Sequence, residues 1–149
     1  MDDIRWSARL QCNTENDIQA HVGKRQFRIG RAVDFDDASD QVSAFEYVLA
    51  AVGADLLSCI AHLARKRRLS IQDLEASVQG ELNNPLMYLG VVGETGDPGM
   101  RRLRVRVFLS SSASDAEIQT LWQDALARSP LANTFSALIE FDPSFKCVF

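Results

Sequence analysis

The stretch LAAVGADLLSC, Leu49 to Cys59, decides how this chain is read. Small and aliphatic residues continue on both sides of it, from Ser43 to about Arg65. A segment so apolar on every face reads as a helix surrounded by protein, not one lying on a surface. Its start is sharp, because SAFE at Ser43 to Glu46 has the spacing of a capping box. It ends in ARKRR, whose cations suit the negative end of the helix dipole. Within it Asp55 is the anomaly. A buried carboxylate needs a cation or hydrogen-bond donors, or must take up a proton. Cys59 follows one turn later and His62 lies further along the same stripe.

Strand patterns flank this helix. Ile4, Trp6, Ala8, Leu10 and Cys12 alternate with polar residues, the period of a half-buried strand. After the turn-rich NTEN at Asn13 to Asn16, Ile18, Ala20 and Val22 alternate again, and Gly23-Lys24 leads to Phe27 and Ile29. An antiparallel meander follows from that order. The segment from Gly30 to Val42 is acidic and irregular. Beyond the helix, Leu74, Ala76 and Val78 form a strand, and Asn83 to Gly99 a long connection with a short strand near Met87 to Val92. Leu103, Val105, Val107 and Leu109 alternate with Arg102, Arg104 and Arg106, one apolar face and one basic. A second capping box, SDAE at Ser114 to Glu117, opens a shorter helix carrying Ile118, Leu121, Trp122 and Ala125 on one face. Ala137, Ile139 and Phe141 then read as a last strand. Trp6 and Trp122 are expected in the core, Cys12 as an inward strand residue and Cys147 as a tail residue.

With 149 residues, 46% of them hydrophobic, the chain is expected to form a single domain over residues 1–149. A formal charge of −4 argues against a nucleic-acid binder, and the three arginines read as a solvated sheet face. The apolar run from Tyr47 to Ala64 reaches the lower length for a bilayer span, but Asp55 and His62 favour a helix buried in a soluble protein. The start, MDDIRWSARL, is acidic and unlike a secretory signal, and an odd cysteine count suits a reducing compartment. The expectation is a cytoplasmic α+β protein with no membrane partner.

Two strings carry a resemblance. SAFEYVLAAVGADLLSCIAHLARKRRLSIQDLEASVQGEL, Ser43 to Leu82, resembles the central segment of the OsmC/Ohr family of bacterial thiol peroxidases. That family segment runs from a glutamate through leucines and alanines to glycine-serine-cysteine, a helix end and a strand. SPLANTF, Ser129 to Phe135, resembles its second cysteine motif. The likeness covers Asp36 to Phe141. It implies a strongly bent antiparallel sheet wrapped around a long central helix, with a shorter second helix, in an intertwined homodimer with sites at the subunit boundary. It also implies an activity in oxidative-stress defence: a first cysteine attacks a hydroperoxide, a second resolves the sulfenic acid, and a glutamate and an arginine orient the substrate. Carried over by position, Glu46 matches the glutamate, Gly53 and Ala54 the glycine and serine, Asp55 the attacking cysteine and Ser129 the resolving one. Arg25, Arg28 and Arg31 remain candidates for the arginine. Both thiols are therefore missing, and neither a carboxylate nor a hydroxyl can be cycled through a sulfenic acid.

Two functional classes stay open. In the first, the redox pair is lost and an apolar pocket at the dimer boundary binds a small apolar or acidic ligand. In the second, Cys59 serves as the one active thiol of a divergent hydroperoxide reductase, with His62 lowering its pKa and Asp55 holding the imidazole. Against the second, a buried free cysteine is ordinarily an inert apolar residue, and three groups on one straight stripe converge poorly. The same stripe is a poor metal site, since zinc takes ligands arranged tetrahedrally from separate elements. No metal or cofactor is expected. Glu46 is equally explained by its capping box.

Overall fold

Alternating side chains and a Gly23-Lys24 turn produce the N-terminal meander in the computed structural model, which describes residues 4–13, 17–30 and 41–148. Most of NTEN, most of the acidic segment and Arg31 lie outside the described residues. The chain divides into two compact units, Met1–Val48 and Leu49–Phe149.

In the first unit, β1 (Arg9–Cys12), β2 (Ile18–Val22) and β3 (Arg25–Ile29) form an antiparallel sheet in the order β1-β2-β3. Gly23 takes φ 60 at the hairpin turn, where a Cβ would be strained. Gly30 is required for another reason: a Cβ there would lie 2.7 Å from that of Gln41, where Gly30 bridges to Ser43. β1 starts at Arg9 and not at Ile4. Ile4 and Trp6 precede it without regular structure, and Trp6 is 88% exposed, so it is no core residue in this chain. Cys12 is exposed as well, not inward.

The long helix expected from the apolar run is α1 (Ala44–Arg67), opened by the Ser43–Glu46 box. It closes in a Schellman motif: Arg68 N–H donates to the Arg65 carbonyl at 3.1 Å and Leu69 N–H to that of Ala64 at 2.9 Å. Arg68 takes φ 58 there, a conformation that favours glycine.

In the second unit, β4 (Ile71–Leu82), β5 (Met100–Ser111) and β6 (Glu140–Cys147) make a sheet in that order. Val52, Leu56, Ile60 and Leu63 of α1 meet Leu103, Val105, Val107 and Leu109 of β5 in one core, with Ile118, Leu121, Trp122 and Ala125 of α3 (Asp115–Arg128). Burying each large aliphatic side chain stabilises by roughly 1.5–3 kcal/mol. α1 lies tightly on β4, because a Cβ on Gly53 would come 3.0 Å from a Val78 methyl.

The α+β class and the long helix are as expected, and the remaining differences have local causes. There are two three-stranded sheets, one in each unit, in place of one bent sheet. β6 runs parallel to β5, since the intervening helices return the chain to the same end of the sheet. Residues expected as a strand near Met87 instead start a short helix, α2 (Pro85–Tyr88), because Asn84 caps it and Pro85 fits its first turn. Ala137 belongs to a further helix, α4 (Pro130–Leu138), and Cys147 to β6. The basic residues of β5 are half-buried and ion-paired: Arg104 and Arg106 reach Asp142 at 3.2 and 2.9 Å, and Arg102 reaches Glu140 at 2.9 Å. Finally, α1 is not covered on all sides. Only 33% of its most apolar stretch is buried, and Ala51, Ala54, Ser58 and His62 form an exposed stripe.

Candidate functional site

Asp55 sits midway along α1, half-buried, on the turn after Gly53. Its partner comes from the far end of the second unit. Ser129 is fully buried, and its backbone lies between α3, which it ends, and α4, which it caps. The local sequence explains the junction. Pro130 occupies the first position of α4, where no amide is needed, and Asn133 Nδ2 donates to the carbonyls of Leu126, Ala127 and Ser129 at 3.0, 3.2 and 2.7 Å. Asn133 therefore closes α3 as Ser129 opens α4. Sequence reasoning missed it, although a Ser-Pro-x-x-Asn spacing after a helical stretch was there to be seen.

The two side chains meet directly. Ser129 Oγ donates to Asp55 Oδ2 at 2.5 Å, and the Leu131 amide donates to the same oxygen at 3.1 Å. Ser129 Oγ in turn accepts from the Ala132 amide at 3.0 Å. The carboxylate thus sits at the positive end of α4, where amides and dipole both favour a negative charge. This answers the need for a partner: a hydroxyl and an amide satisfy Asp55, without a cation from the described residues of its own unit. A carboxylate held in this way can accept hydrogen bonds or a proton. It offers no oxidisable atom.

The other predicted residues are placed less suggestively. Glu46 is occupied by its capping box, accepting from the Ser43 amide at 2.8 Å, and these bonds to Ser43 hold its carboxyl below the usual glutamate range. Arg25 and Arg28 are exposed residues of β3. Cys59 lines a cleft of about 430 Å³ with Ser58, His62, Leu63 and Arg128. Burial pushes its thiol up, the negative charge of Asp55 adds to that, and Arg128 pulls the other way. That is the wrong direction for an activated nucleophile. No hydrogen bond joins His62 to Cys59 or Asp55, so the stripe does not assemble into an aspartate–histidine–cysteine relay. Among the described residues no three His, Cys, Asp or Glu side chains group as metal ligands.

Comparison with known proteins adds the following. The family model described as OsmC-like protein matches residues 36–144. No curated protein is significantly similar in sequence. Among solved structures, an OsmC-like protein from Mycoplasma pneumoniae superposes with a TM-score of 0.81 at 18% identity, covering 99% of each chain. An organic hydroperoxide resistance protein OsmC from Legionella pneumophila gives 0.67 at 15% identity, over 98% of this chain and 99% of that one. The organic hydroperoxide resistance protein OhrB of Bacillus subtilis gives 0.62 at 14%, over 96% and 98%. At these identities the likeness is one of fold.

Proposed function

Because this chain belongs to the OsmC-like protein family, we propose that it is a member whose thiol-peroxidase chemistry has been replaced by ligand binding. In this reading residues 1–149 form one domain, and Asp55 and Ser129 stand at the family's two cysteine positions. The observation that carries it is the 2.5 Å hydrogen bond between Asp55 and Ser129, residues 74 apart in sequence. An attacking and a resolving cysteine must be able to touch, and these two positions do. What occupies them is a carboxylate and a hydroxyl, and reduction of a hydroperoxide requires two electrons from a sulfur that becomes a sulfenic acid. The half-buried Cys59, with its pKa raised, is a poor substitute.

The site then serves binding. The exposed stripe of α1, Ala51, Ala54, Ser58 and His62, is read as the face a second copy covers, making a homodimer whose pocket lies at the subunit boundary and takes a small apolar or acidic ligand. A cytoplasmic setting fits three free cysteines. The test is steady-state consumption of cumene hydroperoxide with excess dithiothreitol or dihydrolipoamide. The expected rate is that of the uncatalysed reaction, and protein-dependent turnover would overturn the reading. Sedimentation velocity decides the dimer: a monomer at micromolar concentration would leave the stripe unexplained.

A further inference from the structure

The cleft beside Cys59 does not include Asp55 or Ser129 in its lining, and its own lining residues have not yet been matched to a ligand. Its walls divide by chemistry. Leu63 and Cys59 are apolar, one buried and one half-buried, and they make the floor. Arg128 and His62 stand at the rim, both exposed in the single chain, and neither forms an ion pair or hydrogen bond with a described residue. His62 belongs to the stripe of α1 that a second copy is read to cover, which puts the cleft at the proposed subunit boundary. That is unlike the arginines at the far side of the same unit, where Arg102, Arg104 and Arg106 are all paired with carboxylates.

Arg128 has an ordinary explanation as a cation in the last turn of α3. This does not account for its place in the lining of one cleft with Cys59 and Leu63. An unpaired guanidinium beside a histidine and above an apolar surface recognises one class of molecule: an organic carboxylate with a hydrocarbon body. The guanidinium offers a planar fork of donors to the carboxylate, the imidazole offers one more, and the body covers Leu63 and Cys59. The charge of Asp55 opposes an anion near Cys59, where it acts ahead of Arg128, so the hydrocarbon body covers the thiol and the carboxylate lies out at Arg128 and His62. The Asp55 carboxylate is itself engaged by Ser129 and Leu131 at α4. A volume of about 430 Å³ suits a small acid and not a nucleotide.

We infer that this cleft is a binding site for a small aliphatic monocarboxylate, held by Arg128 and His62 over the Cys59–Leu63 floor. The inference rests on the reading of the chain as a ligand-binding member of its family, and it names the ligand class of that pocket.

Octanoate is the probe, with octanol and octylamine as comparators. Calorimetry reads affinity. The rate of Cys59 alkylation by N-ethylmaleimide, followed by peptide mass mapping, reads occupancy, with the exposed Cys12 as internal reference. Octanoate is expected to bind at least about tenfold tighter than octanol, the size of one charge-assisted hydrogen bond, and to slow alkylation of Cys59 but not of Cys12. Arg128→Gln should lose that preference and Arg128→Lys should keep part of it. Arg128 is exposed, so both variants should fold, and circular dichroism is the check on that. Equal affinity for octanol, no binding of octanoate, binding that leaves Cys59 unprotected, or unchanged binding by Arg128→Gln would each overturn the proposal. None of these results touches the absence of peroxide turnover, so the two readings fail separately.

Discussion

The N-termini of α3 and α4 solve the same problem with the same chemistry from different places. Each begins with a serine whose hydroxyl accepts from the third amide of the helix, Glu117 in one case and Ala132 in the other. Each serine is also bonded to a carboxylate. At α3 the carboxylate is local: Glu117 Oε2 accepts from the Ser114 amide at 2.9 Å and from its hydroxyl at 2.7 Å, in full view of solvent. At α4 the equivalent third position is alanine, and the carboxylate arrives from α1 as Asp55. A local cap orders one turn of helix. A remote one also fixes α4 against α1, and with Ser129 fully buried its loss leaves groups that water cannot easily reach.

The comparison predicts a large asymmetry. Asp55→Ala should destabilise by about 3 kcal/mol in urea unfolding, because the Ser129 hydroxyl and the Leu131 amide lose their shared acceptor. Asp55→Asn, which keeps an acceptor oxygen, should cost about 1 kcal/mol. Glu117→Ala at the exposed cap should cost about 1 kcal/mol or less. Equal losses for Asp55→Ala and Glu117→Ala would remove the distinction between the two caps.

A double-mutant cycle sharpens it. Coupling between Asp55 and Ser129, measured with Asp55→Ala and Ser129→Ala, should exceed about 1 kcal/mol, against about 0.5 kcal/mol for Ser114 and Glu117. Similar couplings would mean that burial adds nothing to the remote cap.

Acid separates the local caps next. Hydrogen bonds to Ser114 hold the Glu117 carboxyl below its ordinary 4.5, and those to Ser43 do the same for Glu46. A carboxyl lowered in the folded state contributes stability that is complete above 4.5 and disappears as pH falls through the lowered value. The thermal midpoint should therefore drop over that interval, and Glu117→Gln should flatten part of the fall. An unchanged slope in Glu117→Gln would show that the box carries no charge-dependent stability.

The smallest effect concerns the other end of a helix. Arg68 holds φ 58 in the Schellman turn after α1, so Arg68→Gly should stabilise by about 0.5–1 kcal/mol. A loss instead would mean that the arginine side chain contributes more than its backbone costs.

Legibility in the sequence follows the same division. The boxes at Ser43–Glu46 and Ser114–Glu117 could be read because both partners lie three residues apart, and β4 and β5 because their side chains alternate. Asp55 stood out as an anomaly, yet its partner could not be found. The serine that satisfies it caps a helix whose third residue, Ala132, carries no box signal, and SPLANTF shows no clear helical period. Missing α4 also cost the course of β6. Without a helix over 130–138, Ala137, Ile139 and Phe141 resembled one strand, and nothing required the last strand to return parallel to β5. The exposure of Trp6 and of one face of α1 was hidden for another reason. Apolar composition tells which side chains avoid water, not whether this chain or a second copy covers them.

The most direct test of the central claim is intact-protein mass after brief exposure to cumene hydroperoxide with dimedone present, for the wild type and Cys59→Ala. No rapid dimedone adduct should form in either protein, as the proposed loss of the family's two thiols requires. An adduct that forms quickly in the wild type and is absent from Cys59→Ala would place a sulfenic acid on Cys59 and contradict the account.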